Sequence, residues 1–195
     1  MLIIIGLGNP GRQYQKTPHN LGFRVLDYFK KKQKFSNFVF SKKYNSLISK
    51  GEIGKKKIIL GKPKTFINNS GKAVKLLVKD YFKKKENNQE LKNLWVIHDD
   101  IDLSLGKIKI VKNQGSGGHK GVKSIIDELK TKNFIRFKIG TQPKFGKPKN
   151  IKNFVLKNFN QEEEKIVKEI IKKIKRAIDF SLKEGLEKAM NEFNK

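Results

Sequence analysis

The chain has 195 residues, 36% hydrophobic and 32% charged, a length and balance that suit one domain with its own core. It carries no cysteine, which excludes a disulfide framework and a thiol nucleophile and fits a reducing cytoplasm. Its formal net charge of +27 attracts polyanions, nucleic acid above all.

Only Arg12, Arg24, Arg136 and Arg176 are arginines, and Asn, Ile and Phe are plentiful, so part of the charge reflects the lysine bias of an AT-rich genome. No membrane span is expected, because no run of 18 apolar residues occurs. The opening MLIII lacks a basic leader and reads as a first strand rather than a signal peptide. Residues 2–7 form an unbroken apolar run ended by glycine, the pattern of a strand buried on both faces. Thr17 and Pro18 pair an N-cap residue with proline at the first helical position. The helix predicted from there to about residue 32 puts Leu21, Val25, Leu26 and Phe29 on one face. Residues 38–40, 46–48 and 57–60 read as antiparallel strands, and 70–82 as a helix with Val74, Leu77, Val78 and Tyr81 inward. Residues 94–97 are a short buried strand ending in His98-Asp99-Asp100, and 107–111 alternate like a strand. A glycine-rich loop opens a helix over 118–129, followed by a strand over 134–140. Residues 142–152, rich in Pro, Gly and Lys, read as a mobile loop. Asn160 with Glu163 forms a capping-box-like start to a helix carrying Ile166, Ile170, Ile174, Ile178 and Leu182, with Gly185 as its stop. C-terminal helices cover about 161–194. Lys30-Lys31-Lys32 and Lys83-Lys84-Lys85 fall at predicted helix ends, where they suit the helix dipole. The alternation predicts a single α/β domain over 1–195, with a mixed twisted β-sheet and helices on both faces.

The opening Gly6-Leu7-Gly8-Asn9-Pro10-Gly11 fits G-x-G-x-x-G by letter. A dinucleotide site needs a helix to begin inside that motif, so that its N–H groups hold the pyrophosphate. Here Asn9 to Arg12 read as a turn, and no helix is predicted before Pro18. The acidic residue at the expected spacing, Asp27, falls inside that helix rather than at a strand end. The context rejects a nicotinamide or flavin site. What is left is a strand end, a tight turn and Asn9 at the carboxyl edge of a sheet, where open α/β sheets bind ligands.

Four polar segments occupy comparable topological positions: Asn9 with Tyr14, His19 and Asn20; residues 65–71 around Asn68, Asn69 and Ser70; His98-Asp99-Asp100-Ile101-Asp102; and residues 115–121 around His119 and Lys120. There is no G-x-S-x-G elbow and no Walker A loop. Histidine oriented by a carboxylate can activate water, and asparagine amides can hold a carbonyl and stabilise an oxyanion. The set suits hydrolysis of an activated acyl bond such as an ester. Each residue also has a structural use: His19 and Asn68 near helix starts, the aspartates in a turn or on Mg²⁺, and the glycine loop as an anion nest.

The segments Ile5 to Gly11 followed by Tyr14 and Thr17-Pro18-His19-Asn20, Lys62 to Gly71, His98 to Leu103 and Gly115 to Gly121, with Phe154-Val155-Leu156 and Glu162 to Glu164, resemble the bacterial peptidyl-tRNA hydrolase family in order and spacing over essentially the whole chain. The resemblance implies cleavage of the ester between a peptide and the 3′ ribose of tRNA, without cofactor or metal. It implies His19 as general base, Asp99 as its orienting partner, and Asn9, Tyr14, Asn68, His119 and Lys120 as substrate-binding residues. Arg136 and Lys138 are expected after the sheet as a clamp for a tRNA phosphate, and the 142–152 loop as a lid. The family has Asn where Lys120 stands and commonly Met where Ile67 stands. The expected partner is peptidyl-tRNA, with the chain a cytoplasmic monomer off the membrane. The rival readings are a non-catalytic RNA-binding protein on the same fold and a Mg²⁺-dependent phosphohydrolase using Asp99, Asp100 and Asp102.

Overall fold

Leu2–Gly6 forms β1, the centre of a seven-stranded sheet, and all five of its residues are buried. Its apolar run is continuous because both sheet faces are covered: Leu2 and Ile4 point into one core, Ile3 and Ile5 into the other. The computed structural model describes residues 1–82 and 88–195, so the predicted lysine cluster Lys83, Lys84 and Lys85 lies outside the described residues.

The strands are β1, β2 (Val39–Ser41), β3 (Ser46–Ile53), β4 (Lys56–Pro63), β5 (Leu94–Ser104), β6 (Ile108–Lys112) and β7 (Ile135–Gln142), in the order β2-β3-β4-β1-β5-β7-β6. β1 is parallel to β4 and β5, and β5 to β7; β2–β3, β3–β4 and β6–β7 are antiparallel. The helices are α1 (Leu21–Lys32), α2 (Ser70–Tyr81), α3 (Lys120–Leu129), α4 (Ile151–Phe154), α5 (Gln161–Glu184) and α6 (Leu186–Phe193). α1, α5 and α6 share one core, with Val25, Phe29, Ile174 and Ala189 in it. α2 and α3 share the other through Val74, Leu77, Val122 and Ile125. The predicted mixed sheet with helices on both faces is what forms. Among the described residues, no helix is long and apolar enough to cross a membrane.

Several boundaries differ from expectation for identifiable reasons. Pro18–Asn20 is a separate 3-10 turn rather than the first turn of α1. It is held there because the Asn20 side chain brackets the backbone of Asn9, accepting from its N–H at 2.9 Å and donating to its carbonyl at 3.0 Å. β5 continues seven residues past the predicted end at Ile97, through the polar His98 to Ser104. Those polar residues stay in a strand because β7 pairs with them up to Asp100, with a register shift between Asp100 and Ser104. The α5 stripe is offset: Val167, Ile170, Ile171, Ile174, Ala177 and Ile178 are buried, whereas Ile166 is exposed. The predicted capping box is present in both directions, Asn160 with Glu163. Residues 143–150 are a loop as expected, but its last predicted residues enter the short helix α4, whose start Asn150 caps.

The glycines of the opening motif serve packing. A Cβ on Gly6 would collide with the carbonyl of Gly22, and one on Gly22 would collide with Leu7 N and Ile97 O. The two glycines let α1 sit directly against the ends of β1 and β5. Gly22→Ala therefore forces α1 off the sheet, and thermal denaturation should show a loss of about 1–3 kcal/mol, the usual cost of overpacking.

Candidate active site

The close approach of α1 brings His19, on the turn just before it, to the end of β5. His19 Nδ1 lies 3.0 Å from Asp99 Oδ1 and 2.9 Å from Oδ2. An ionised carboxylate only accepts, so Nδ1 carries the proton and Nε2 keeps its lone pair. On a strand, neighbours point to opposite faces. Asp99 shares the face of Ile97, the α1 side, whereas His98 and Asp100 face away from it.

A second imidazole reaches the same carboxylate from α3. His119 Nε2 lies 2.9 Å from Asp99 Oδ1, and His119 Nδ1 accepts from the backbone N–H groups of Gly121 and Val122 at 3.1 and 3.2 Å. His119 is thus the N-cap of α3, an unusual residue there but one with the acceptor that position needs. His98 completes a trio of rings. Its centroid is 4.7 Å from that of His119, and its Nδ1–H donates to the Asp99 carbonyl.

Burial alone would raise the Asp99 carboxyl, but the charge of His19 and the hydrogen bonds from His19 and His119 outweigh it and hold Asp99 well below the ordinary carboxylate range. Burial pulls His19 down, Asp99 pulls it up through charge and hydrogen bond, and the Lys120 ammonium opposes that; the net shift is upward from 6.5. His98 is pushed well down, chiefly by burial, and is neutral.

These groups open on a cavity of about 580 Å³. All four polar segments reach it: Asn9, Tyr14 and His19; Asn68; Asp99; and His119 with Lys120. Asn9 is buried, and its Oδ1 accepts from Ile67 N at 2.9 Å, so its Nδ2 is the donor end. Phe66, Ile151, Val155 and Leu156 give the cavity an apolar wall. His19 N donates to Val155 O at 3.3 Å, tying the wall to the turn that carries His19.

The donor atoms of His19, Asp99 and His119 lie within 4.8 Å of one another. They are joined by hydrogen bonds, with both nitrogens that face Asp99 protonated and His119 Nδ1 used by the helix, so the set does not fit a resident cation. The three aspartates do not converge either: Asp100 pairs with Lys138 and Asp102 with Lys147, which argues against the Mg²⁺ phosphohydrolase.

Against known protein families, residues 3–195 match the profile described as peptidyl-tRNA hydrolase. The chain belongs to the peptidyl-tRNA hydrolase family. A peptidyl-tRNA hydrolase of Thermodesulfovibrio yellowstonii is 45% identical over 201 residues, with 100% of each chain covered. One from Thermoanaerobacter sp. strain X514 is 43% identical over 195 residues, again covering 100% of each. The crystal structure of peptidyl-tRNA hydrolase from Acinetobacter baumannii matches with a TM-score of 0.87 at 27% identity, covering 100% of this chain and 94% of that one.

In this member of the peptidyl-tRNA hydrolase family, the two residues expected to clamp a phosphate are placed differently from the sequence reading. Arg136 lies within β7, not after the sheet, and is 1% exposed, with Nη2 donating to Gly115 O at 2.9 Å. Its guanidinium is folded into the protein and is not presented to an incoming anion. Lys138 is on the same strand with its ammonium on Asp100. The apolar contributions of Ile151, Val155 and Leu156 were not assigned to the site from sequence, where the signal was the apolar Val155-Leu156 pair beside a Lys-rich loop; His98 was included as part of the third polar segment, without a role of its own. In an NMR titration of the imidazole resonances, His19 should titrate above 6.5. In Asp99→Asn its pKa should fall below that ordinary value, because burial and Lys120 then act unopposed.

Proposed function

We propose that this chain hydrolyses the ester between a peptide and the 3′ ribose of tRNA, releasing both, by attack of a water that His19 activates. The observation that carries this is the His19–Asp99 pair on the cavity, in a chain of this family. Asp99 holds the Nδ1–H tautomer, leaving Nε2 to take a proton from water. As the ester carbon becomes tetrahedral, the proton moves to Nε2 and the imidazolium is stabilised by the carboxylate 2.9 Å from Nδ1. Proton return to the departing ribose oxygen resets the base.

In this reading Asn9 Nδ2, the Asn68 amide and the Lys120 ammonium hold the scissile carbonyl and the 3′ end of the tRNA; all three line the cavity, as does Tyr14. Lys120 offers a point charge where an amide is usual in the family. The apolar wall from Phe66 to Leu156 receives the peptide side chains or the terminal base. The reaction as drawn uses no cofactor or metal. The protein acts as a cytoplasmic monomer on peptidyl-tRNA, and its +27 charge supplies the attraction to RNA.

The base requires neutral His19, and His19 is raised from 6.5. Activity therefore climbs with pH through a value above 6.5. His19→Ala should lower kcat by about 10²–10⁴-fold, the usual weight of a general base. The assay is peptide release from an N-blocked aminoacyl-tRNA, with the unblocked form as control and release expected only from the blocked one. Tight binding without release by the unaltered protein would instead mark a non-catalytic RNA binder. If about three phosphates are neutralised by lysines, substrate affinity should drop about 40-fold between roughly 50 and 200 mM salt. A flat response would remove the basic surface from docking.

A further inference from the structure

We infer that His119 is a positioning residue, whose tautomer is set by the start of α3 and whose single proton turns Asp99 toward His19. Its Nδ1 accepts from Gly121 N and Val122 N, so that nitrogen has no proton. The proton of the neutral ring is then on Nε2, 2.9 Å from Asp99 Oδ1. A flipped ring would set a C–H against the two helix N–H groups, and a second proton would expel them. The helix start thus allows one ring state. Gly117 and Gly118, with φ of +57° and +79°, let the loop deliver the ring, and His98 packs edge-on against it with centroids 4.7 Å apart.

The effect falls on the carboxylate. Asp99 is 2% exposed, and its Oδ1 receives both imidazoles while Oδ2 receives His19 alone. Two donors from opposite elements leave the carboxylate one rotation, the one that faces His19 Nδ1. They also share its charge, so that it supports the His19 imidazolium without making His19 too basic to be neutral at working pH. The other titratable or charged groups on this cavity are Lys120, His98, Tyr14, Asp100, Lys147 and Lys152. Lys147 is held by Asp102 and Asp100 by Lys138. His119 thus belongs with Asp99 rather than with the substrate, in contrast to the role the resemblance suggests.

The inference rests on His19 being the base. The test separates the two functions of the ring. His119→Asn keeps a strong N-cap acceptor but is too short to reach Asp99. It should fold and melt like the unaltered protein, with kcat down about 10–100-fold, the loss of one hydrogen bond to a charged group. KM should change little. The acid limb of kcat/KM should move to higher pH, because the Asp99 charge then acts on His19 alone. His119→Gln, whose amide N–H extends about as far as Nε2, should restore the limb and most of kcat. Unchanged kcat and acid limb in His119→Asn would reduce His119 to a helix cap. Raised KM with both unchanged would make it a substrate ligand. Either result overturns the proposal. If His119→Asn does not fold, ¹⁵N resonances of the unaltered protein decide: a proton on Nε2 supports the proposal and one on Nδ1 overturns it. Activity retained by His19→Ala is a separate failure, that of the base itself.

Discussion

The Asp99 carboxylate, held between the imidazoles of His19 and His119 at the end of β5, is the contact around which the site is organised. An ionised group this deeply buried is costly unless it is paired and hydrogen-bonded. Asp99 meets that condition with two ring donors, and in doing so it draws the turn before α1 and the start of α3 to one point from opposite faces of the sheet. The imidazole pair is therefore a structural joint.

The fold supplies the rigidity that this joint needs. Both faces of β1 are covered, and Gly6 and Gly22 allow α1 to rest on the strand ends without an intervening side chain. Arg24 on α1 makes a two-pronged contact with Glu164 on α5, at 2.8 and 2.7 Å, with both side chains largely shielded. The loop and the chain beyond it also make contacts back to the domain: Lys147 meets Asp102 at 2.5 Å, and Phe159 N donates to Lys16 O.

Charge is distributed unevenly around this centre. The chain is strongly basic, and next to the site Lys138 is paired with Asp100, Lys147 with Asp102, and Arg136 is buried on Gly115 O, while Lys120 and Lys152 also line the cavity. Lys120 is the cation whose influence reaches His19. A general field that attracts RNA and a site ordered by close hydrogen bonds are compatible, because long-range attraction depends on net charge and proton transfer depends on neighbours within a few ångströms.

Hydrophobic periodicity and end signals in the sequence were enough for the strand–helix order, the two-sided burial of β1 and the capping box at Asn160. Each of these is a local pattern read within a few residues. The four polar segments, and His19 with Asp99 among them, were also legible, through residue types and through likeness to a family. Their pairing, across 80 residues, came from that likeness alone, because no local pattern links residues so far apart. Which of three clustered aspartates faces the histidine depends on strand parity in β5, and that β5 continues past Ile97 depends on its pairing with β7. The burial of Arg136, the apolar wall from Ile151 to Leu156 and the ring state of His119 likewise belong to tertiary structure. They are set by groups distant in sequence that meet only once both faces of the sheet are packed.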